Sequence, residues 1–497
     1  MGAGVPVARP MRGLSGTTAR AWWSSRRRLV LLMAIIWLPM LVWWFALLPG
    51  GMSNDSLDQW SQIRSGHWTS HHPVADTAFV WLTSLGGLTP ATTSFAQTLV
   101  VAAALGWFVY VVTNVIGGGR AVWVTVVLLA VLPFAGVFAV TIWKDVPEAA
   151  ALVVLSGLLL LAWRGEEPLR GGWWVALGSA ALATGLLRWN GGVTTVLVAV
   201  VVLIALRGRR RWTVAVTTAA AGLVGFGVLL LIPHVAPVRP IQPVDSMAQE
   251  LADLAQFARD TPQSFSYNDR QALVHVAPFR RWRFAGHSCV SIDPITYRII
   301  RYEGHEQALD ANTAAIQRAW RHLVRKEPGE FLHARACRAS LAWSFANPPR
   351  RNIVSVWPHV SANTLGLHQE SPKPVRDAAR AIADVSSWRW VQEMFWRPAV
   401  WVLLAVASAS LAGLRGGRWR LLLLLLSVPL AALGSYAASP AAQDARYTYP
   451  ATLICQLATV AYFSSWLARG GRLRRRLSRE QSQPQAAEAD GSASARI

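Results

Sequence analysis

Apolar residues in this chain come in long uninterrupted runs separated by short polar or basic segments. The first run, Leu29–Leu48, carries no charge and follows Arg26-Arg27-Arg28. About twenty apolar residues in a helix cover a hydrocarbon core about 30 Å thick. The run is long for a signal peptide and no small-residue cleavage site follows it, so it is predicted to be an uncleaved first span. Further runs are Ser94–Ile116, Ala121–Ile142, Ala149–Trp163, Trp173–Leu187, Val193–Leu206, Trp212–Ile232, Val400–Leu414, Leu421–Ala437 and Pro450–Leu467, which makes ten predicted spans. Trp22, Trp23, Trp163, Trp173, Trp212 and Trp466 stand at run ends, where an interfacial aromatic belt belongs. Pro73–Leu88 is apolar but short, and is predicted to be an interfacial or re-entrant helix that packs the first loop against the membrane.

Composition agrees with this pattern. Charged residues make up only 15% of the 497 residues and hydrophobic residues 53%, whereas soluble domains carry about 25% charged residues. The net charge of +22, from 48 Lys+Arg against 26 Asp+Glu, first points to nucleic acid. Its placement rejects that reading. With a cytoplasmic N-terminus, the segments 1–28, Arg120, Arg164–Arg170, Arg207–Arg211, Arg415–Arg420 and the tail after Leu467 all fall inside. They hold 23 Lys+Arg against 5 Asp+Glu, or +18. This is the positive-inside signature, and it puts both termini in the cytoplasm. The predicted organisation is a basic N-terminus (1–28), a transmembrane core (29–232) with a first external loop at 49–93, an extracytoplasmic domain (233–398), C-terminal spans (399–467) and a basic, disordered tail (468–497). The domain at 233–398 retains a net +6 and shows helical periodicity at Met247, Leu251, Leu254 and Phe257. Arg- and Ala-rich, Lys-poor usage points to a GC-rich bacterial genome, hence a bacterial plasma membrane.

All eleven histidines fall in predicted outside segments, as do Cys289 and Cys337. An oxidising compartment would permit a Cys289–Cys337 disulfide, provided the geometry allows it. Four outside segments also carry polar groups that anchoring does not require. These are Asp55-Ser56-Leu57-Asp58-Gln59 with His71-His72-Pro73, Lys144-Asp145, Arg188-Trp189-Asn190-Gly191, and Arg446-Tyr447. Charges at a membrane face mark pathway or site residues, or simply solvated helix stops. Lys144 is the sharper case: it is one of three lysines in the chain and sits between apolar runs. A local pair with Asp145 is the bland alternative. In the large domain, Trp320, Arg321 and Lys326–Glu330 offer either an acceptor surface or a helical packing layer.

The order and common side of these motifs resemble the GT-C superfamily of membrane glycosyltransferases, in particular its protein mannosyltransferase and aminoarabinose transferase branch. The resemblance covers the first seven spans and the last external turn. It implies an all-α polytopic membrane protein, with a GT-C-like seven-span core, about three further spans and a mainly helical extracytoplasmic domain inserted before span eight. It also implies transfer of a sugar from a polyprenyl-phosphate donor, with inversion, to a hydroxyl of an envelope glycan, lipid or protein at the outer face. Asp55, with Asp58 beside it, takes the catalytic role in that reading. Lys144, Arg188, Arg446 and Tyr447 hold the donor phosphate, and His71, His72, Asn190 and Asp145 hold sugar or acceptor. A divalent metal, Mg or Mn, would draw on Asp55 and Asp145. The branch typically has adjacent acids in its first loop, whereas here Ser56 follows Asp55. The competing readings are a transporter or flippase of a lipid-linked glycan, a membrane-anchored scaffold, and an envelope polymerase or ligase of another fold.

Overall fold

The computed structural model describes residues 18–163, 171–346, 356–413 and 418–482. The predicted inside segments at 1–17, 164–170, 414–417 and 483–497 lie outside these. Regular structure among the described residues is helical, and non-helical backbone pairing is confined to isolated bridges.

The chain begins with Thr18–Ala46 (α1). Two short helices, Asn54–Ser65 (α2) and Val74–Thr83 (α3), form the first loop, and Pro90–Val115 (α4) follows. The α4 N-terminus is set by Thr89, whose hydroxyl accepts from the Ala91 N–H, and by Pro90 in the first helical position. Gly119–Val131 (α5) and Pro133–Val140 (α6) come next, then Asp145–Trp163 (α7), Gly171–Leu187 (α8), Gly191–Ala205 (α9) and Gly208–Val235 (α10). α4 packs on α1 and α7, and α10 packs on α8 and α9. At Gly191 the backbone comes so close to Thr184 that a Cβ would run into the Thr184 carbonyl oxygen.

The predicted span Ala121–Ile142 is not one straight helix. α5 and α6 meet at a 55° bend. Leu132, preceding Pro133, is extended at φ −72°, ψ 153°, because the proline ring disfavours the helical region for the residue before it. Among the described residues, six helices are long and apolar enough to cross a membrane, or eight if each of two bent pairs counts as one span. α8 and α9, at 17 and 15 residues, fall short of the ~20 that cross untilted. These helices make the chain a multi-pass membrane protein.

Residues 243–342 form a second helical body. It comprises Pro243–Ser246 (α11), Ala248–Asp260 (α12), Tyr267–Val274 (α13), Phe279–Ala285 (α14), a π-helical turn at Pro294–Arg301, Glu306–Lys326 (α15) and Pro328–Ala339 (α16). Its own apolar core includes Leu251, Leu254, Phe257, Trp282, Ile299, Leu309, Ile316 and Leu323, so the 3–4 spacing at 247–257 is the buried face of α12. The stretch at 320–330 contributes packing: the Trp320 indole donates to Asp253 (3.1 Å) and Lys326 donates to the Ser264 carbonyl (2.7 Å). Cys289 and Cys337 form a disulfide, with Cα atoms 5.9 Å apart. Lys373–Asp384 (α17) and Arg389–Phe395 (α18) lead into Pro398–Leu411 (α19), Arg418–Ala438 (α20) and Tyr449–Ser482 (α21). α20 packs on α9 and α7, and α21 on α19 and α5. α21 continues past Leu467 to Ser482, so the first part of the predicted disordered tail is helical instead. Its Arg- and Leu-rich segment extends the last span without a glycine or proline stop after Arg472.

Candidate functional site

The site begins with how α2 is held. Gly50 turns the chain at φ +123°, a value open to glycine at little cost. Gly51 then pairs with the 140–142 strand-like turn: its N–H donates to Val140 (3.2 Å) and its carbonyl accepts from Ile142 (2.8 Å). Met52 exchanges hydrogen bonds with His359 and Ser361 on the other side, each 2.9 Å. The Ser56 hydroxyl donates to the Ile142 carbonyl (2.5 Å), and the Trp143 indole donates to the Ser53 hydroxyl (2.8 Å). These contacts lock the start of α2 against the turn that carries Lys144.

Asp55 therefore faces Lys144, and the turn before α21 brings Arg446 to the same place. An Arg446 guanidinium nitrogen lies 2.8 Å from Asp55 Oδ2, and Lys144 Nζ lies 3.8 Å from it. Burial alone would push the Asp55 carboxyl up, but the Arg446 and Lys144 charges outweigh it and hold the group far below the usual carboxylate range. Asp55 is a carboxylate at any physiological pH. Arg446 also reaches Asp444 (2.9 Å) and donates to the Tyr447 hydroxyl (2.9 Å), and its guanidinium lies over the Trp143 ring at 5.2 Å. Burial raises Asp444 to about 6, with Arg446 pulling the other way.

Lys144 does not settle on its neighbour Asp145. Its Nζ lies 3.3 Å from His72 Nδ1. An ammonium can only donate, so Nδ1 is the acceptor and the ring proton sits on Nε2, which lies 3.3 Å from Asp58 Oδ2. Burial and the Lys144 charge push His72 down to about 4, so the ring is neutral at pH 7. Asp58 is lowered: burial raises it, and the His72 contact more than compensates. His71 packs edge-on against His72, with Nδ1 3.0 Å from Asp245, and Arg301 holds that carboxylate at 2.6 Å.

Asp145 and Glu148, in the first turn of α7, sit on the side of the positive helix end and are bound by Arg188 at 3.2 and 2.9 Å. The Arg188 guanidinium also covers the Tyr447 ring at 4.8 Å. Arg188, expected as a donor-phosphate ligand, thus holds two buried carboxylates. The Asn190 amide donates to Ser435 (3.2 Å) on α20.

Of the expected metal ligands, Asp55 lies beside Arg446 and Lys144, and Asp145 beside Arg188. Among the described residues, ligand-type atoms of Asp58, His71 and His72 converge within 4.8 Å of one another. One carboxylate and two imidazoles suit zinc better than Mg or Mn. A metal-bound imidazole donates through its other nitrogen, and for His72 that nitrogen faces the Lys144 ammonium. The set fits a metal poorly as it stands.

Sequence reasoning passed over Asp245, Arg301, Asp293 and Tyr297. All come from the large domain, where nothing marks them from other loop charges. The segment that carries the last two docks beside the Asp444 turn through Ile292 N–H to Ala441 (3.0 Å) and Gln443 N–H to Val290 (2.8 Å). A cavity of about 470 Å³ opens next to Asp58 and His71, lined also by Arg239, Gln242, Asp245 and Arg301.

Gln59 is structural: its amide donates to Asp76 Oδ2 at 2.6 Å and ties α2 to α3. Burial raises Asp76 to about 7. In an unfolded chain the group titrates near 3.9, so the unfolded state loses its proton first. The Asp76 contribution to stability is complete below about pH 4 and declines as pH rises to about 7. Asp76→Asn should therefore melt with a smaller loss of stability between pH 5 and 8 than wild type. Parallel pH slopes in thermal denaturation would contradict this.

No family model matches the chain, and no curated protein matches it. Two solved structures do. ArnT from Cupriavidus metallidurans in the apo state is 15% identical, over 90% of this chain and 78% of that one, with a TM-score of 0.33. The same protein bound to undecaprenyl phosphate is 14% identical, over 93% and 81%, with a TM-score of 0.31. Likenesses this shallow leave the chemistry to be read from the residues themselves.

Proposed function

We propose that this chain is an integral membrane glycosyltransferase that moves a sugar from a polyprenyl-phosphate donor to an acceptor hydroxyl at the outer face of a bacterial plasma membrane. The observation that carries this is the Asp55 carboxylate clamped between Arg446 and Lys144 at the mouth of the helical bundle. It combines an acceptor for a proton with two cations suited to a lipid phosphate.

The clamp also supplies an order of events. While Arg446 and Lys144 neutralise Asp55, the carboxylate is a weak base. A donor phosphate competes for the same two cations. As they turn to it, Asp55 loses its counter-charges and its basicity rises, just as the acceptor hydroxyl has to lose its proton. The hydroxyl oxygen then attacks the anomeric carbon from the face opposite the phosphate and the sugar inverts. The C–O bond to phosphate breaks, its electron pair stays on the phosphate, and the proton passes to Asp55. Arg446 and Lys144 stabilise the charge that grows on the leaving group, and such stabilisation is usually the largest single contribution. Asp58 and the neutral His72 keep Lys144 in reach, and Arg188 supports the floor of the site through Tyr447. The step routes no bond through a metal.

A flippase would place ionisable groups near the bilayer midplane. Here the charged residues of α7, Asp145 and Glu148, lie in its first turn, and α4 and α9 carry no Asp, Glu, Lys, Arg or His, which favours chemistry at one face. Arg446→Lys keeps the charge beside Asp55 but loses the forked donor. Its donor KM should rise about tenfold, the worth of one charged hydrogen bond, in assays with a radiolabelled polyprenyl-phosphate sugar. A change confined to acceptor KM would remove Arg446 from the phosphate role.

A further inference from the structure

The net +6 of the large domain is unevenly placed. α14 reads Phe279-Arg-Arg-Trp-Arg-Phe-Ala285. Arg281 is paired with Glu303 at 2.9 Å. Arg280 and Arg283 stand three residues apart, on one face of the helix, both exposed, with no carboxylate or carbonyl partner among the described residues. They border a cavity of about 620 Å³ together with Arg259, Asp260, Phe284 and His287. The single acid there is already engaged: Asp260 holds Arg259 at 3.3 Å and accepts from the Gln256 amide. Arg259 directs another nitrogen to the carbonyls of Gly286 and His287, each 3.2 Å away.

Aromatic rings position the neighbouring guanidinium groups. Arg298 lies over Phe284 at 4.9 Å and Arg270 over Phe279 at 4.5 Å. A guanidinium held by a ring face keeps its N–H edges free for a planar or tetrahedral anion. Arg280 and Arg283 repel each other mildly as like charges three residues apart on one helix face, and an anion bound between them relieves that repulsion. We infer that the Arg280–Arg283 face of α14 is a binding site for a phosphate group, carried either by a membrane lipid headgroup or by a water-soluble phosphoester. It is separate from the Asp55 cluster and does not depend on the glycosyl-transfer reading.

The test uses the full chain in phosphatidylcholine nanodiscs. In one arm it is titrated with glycerol 3-phosphate. In the other, phosphatidylglycerol is added to the discs and the lipid retained on the protein is counted by native mass spectrometry. Wild type should bind in at least one arm, and the arm that responds identifies the source of the phosphate. Arg280→Gln/Arg283→Gln should bind at least about tenfold more weakly in that arm. Arg318→Gln, an exposed arginine on α15 outside the patch, should match wild type. No binding in either arm, an undiminished double variant, or equal loss in Arg318→Gln would each overturn the site.

Discussion

Asp55→Asn is expected to insert and purify like wild type while its transfer rate falls by about 10²–10⁴-fold, the usual worth of a general base. Asparagine preserves the shape at the start of α2 but cannot take a proton. The loss should appear in kcat. The donor KM should hold or fall, because Arg446 and Lys144, now 2.8 and 3.8 Å from Asp55, are released toward the phosphate. A purely structural role would instead reduce the yield of folded protein. A variant with full activity would take Asp55 out of the reaction.

Asp253→Ala should destabilise the large domain by about 3–5 kcal/mol, the cost of stranding a buried charge. Asp253 is fully buried and accepts from Arg335 (2.7 Å), Arg338 (3.2 Å) and Trp320 (3.1 Å). Arg338 is itself 1% exposed and, among the described residues, has only Asp253 as its counter-ion; it also donates to the Gln249 amide oxygen (3.0 Å). The effect should extend to the membrane helices, since the Arg338 carbonyl accepts from the Tyr436 hydroxyl (3.2 Å) on α20. Limited proteolysis and thermal denaturation of the detergent-solubilised chain measure it. Unchanged protection of residues 243–342 would show that the network contributes little.

The helices were legible because an uncharged apolar run of membrane length is seldom tolerated in a chain that does not span a bilayer. The bend at Pro133 was not, since hydropathy is blind to direction and treats residues 121–142 as one run; the proline was the available signal. α21 extends beyond the apolar run because a solvated helix and a coil share the composition Arg, Leu, Ser and Glu. Asp55, Lys144 and Arg446 stood out as charges at the ends of apolar runs. Their pairing did not, because Asp55 and Arg446 are 391 positions apart and no local pattern links them. The partners of Arg188 and Asn190 were hidden by the same distance effect. Arg188 holds Asp145 and Glu148, and Asn190 donates to Ser435, which only the packing of α7, α8, α9 and α20 makes their neighbours. Asp245 and Arg301 were hidden for the opposite reason: in a polar domain, charged residues carry no contrast.

The central claim is that a sugar leaves a polyprenyl phosphate at the Asp55 clamp. The most direct measurement supplies membranes containing the chain with a panel of radiolabelled polyprenyl-phosphate sugars and follows the label. At least one donor should be consumed, its label should appear in a glycosidic linkage on an acceptor, and Asp55→Asn membranes should leave that donor intact. Donors that remain intact throughout the panel, or that cross the bilayer with the sugar still attached, would contradict it.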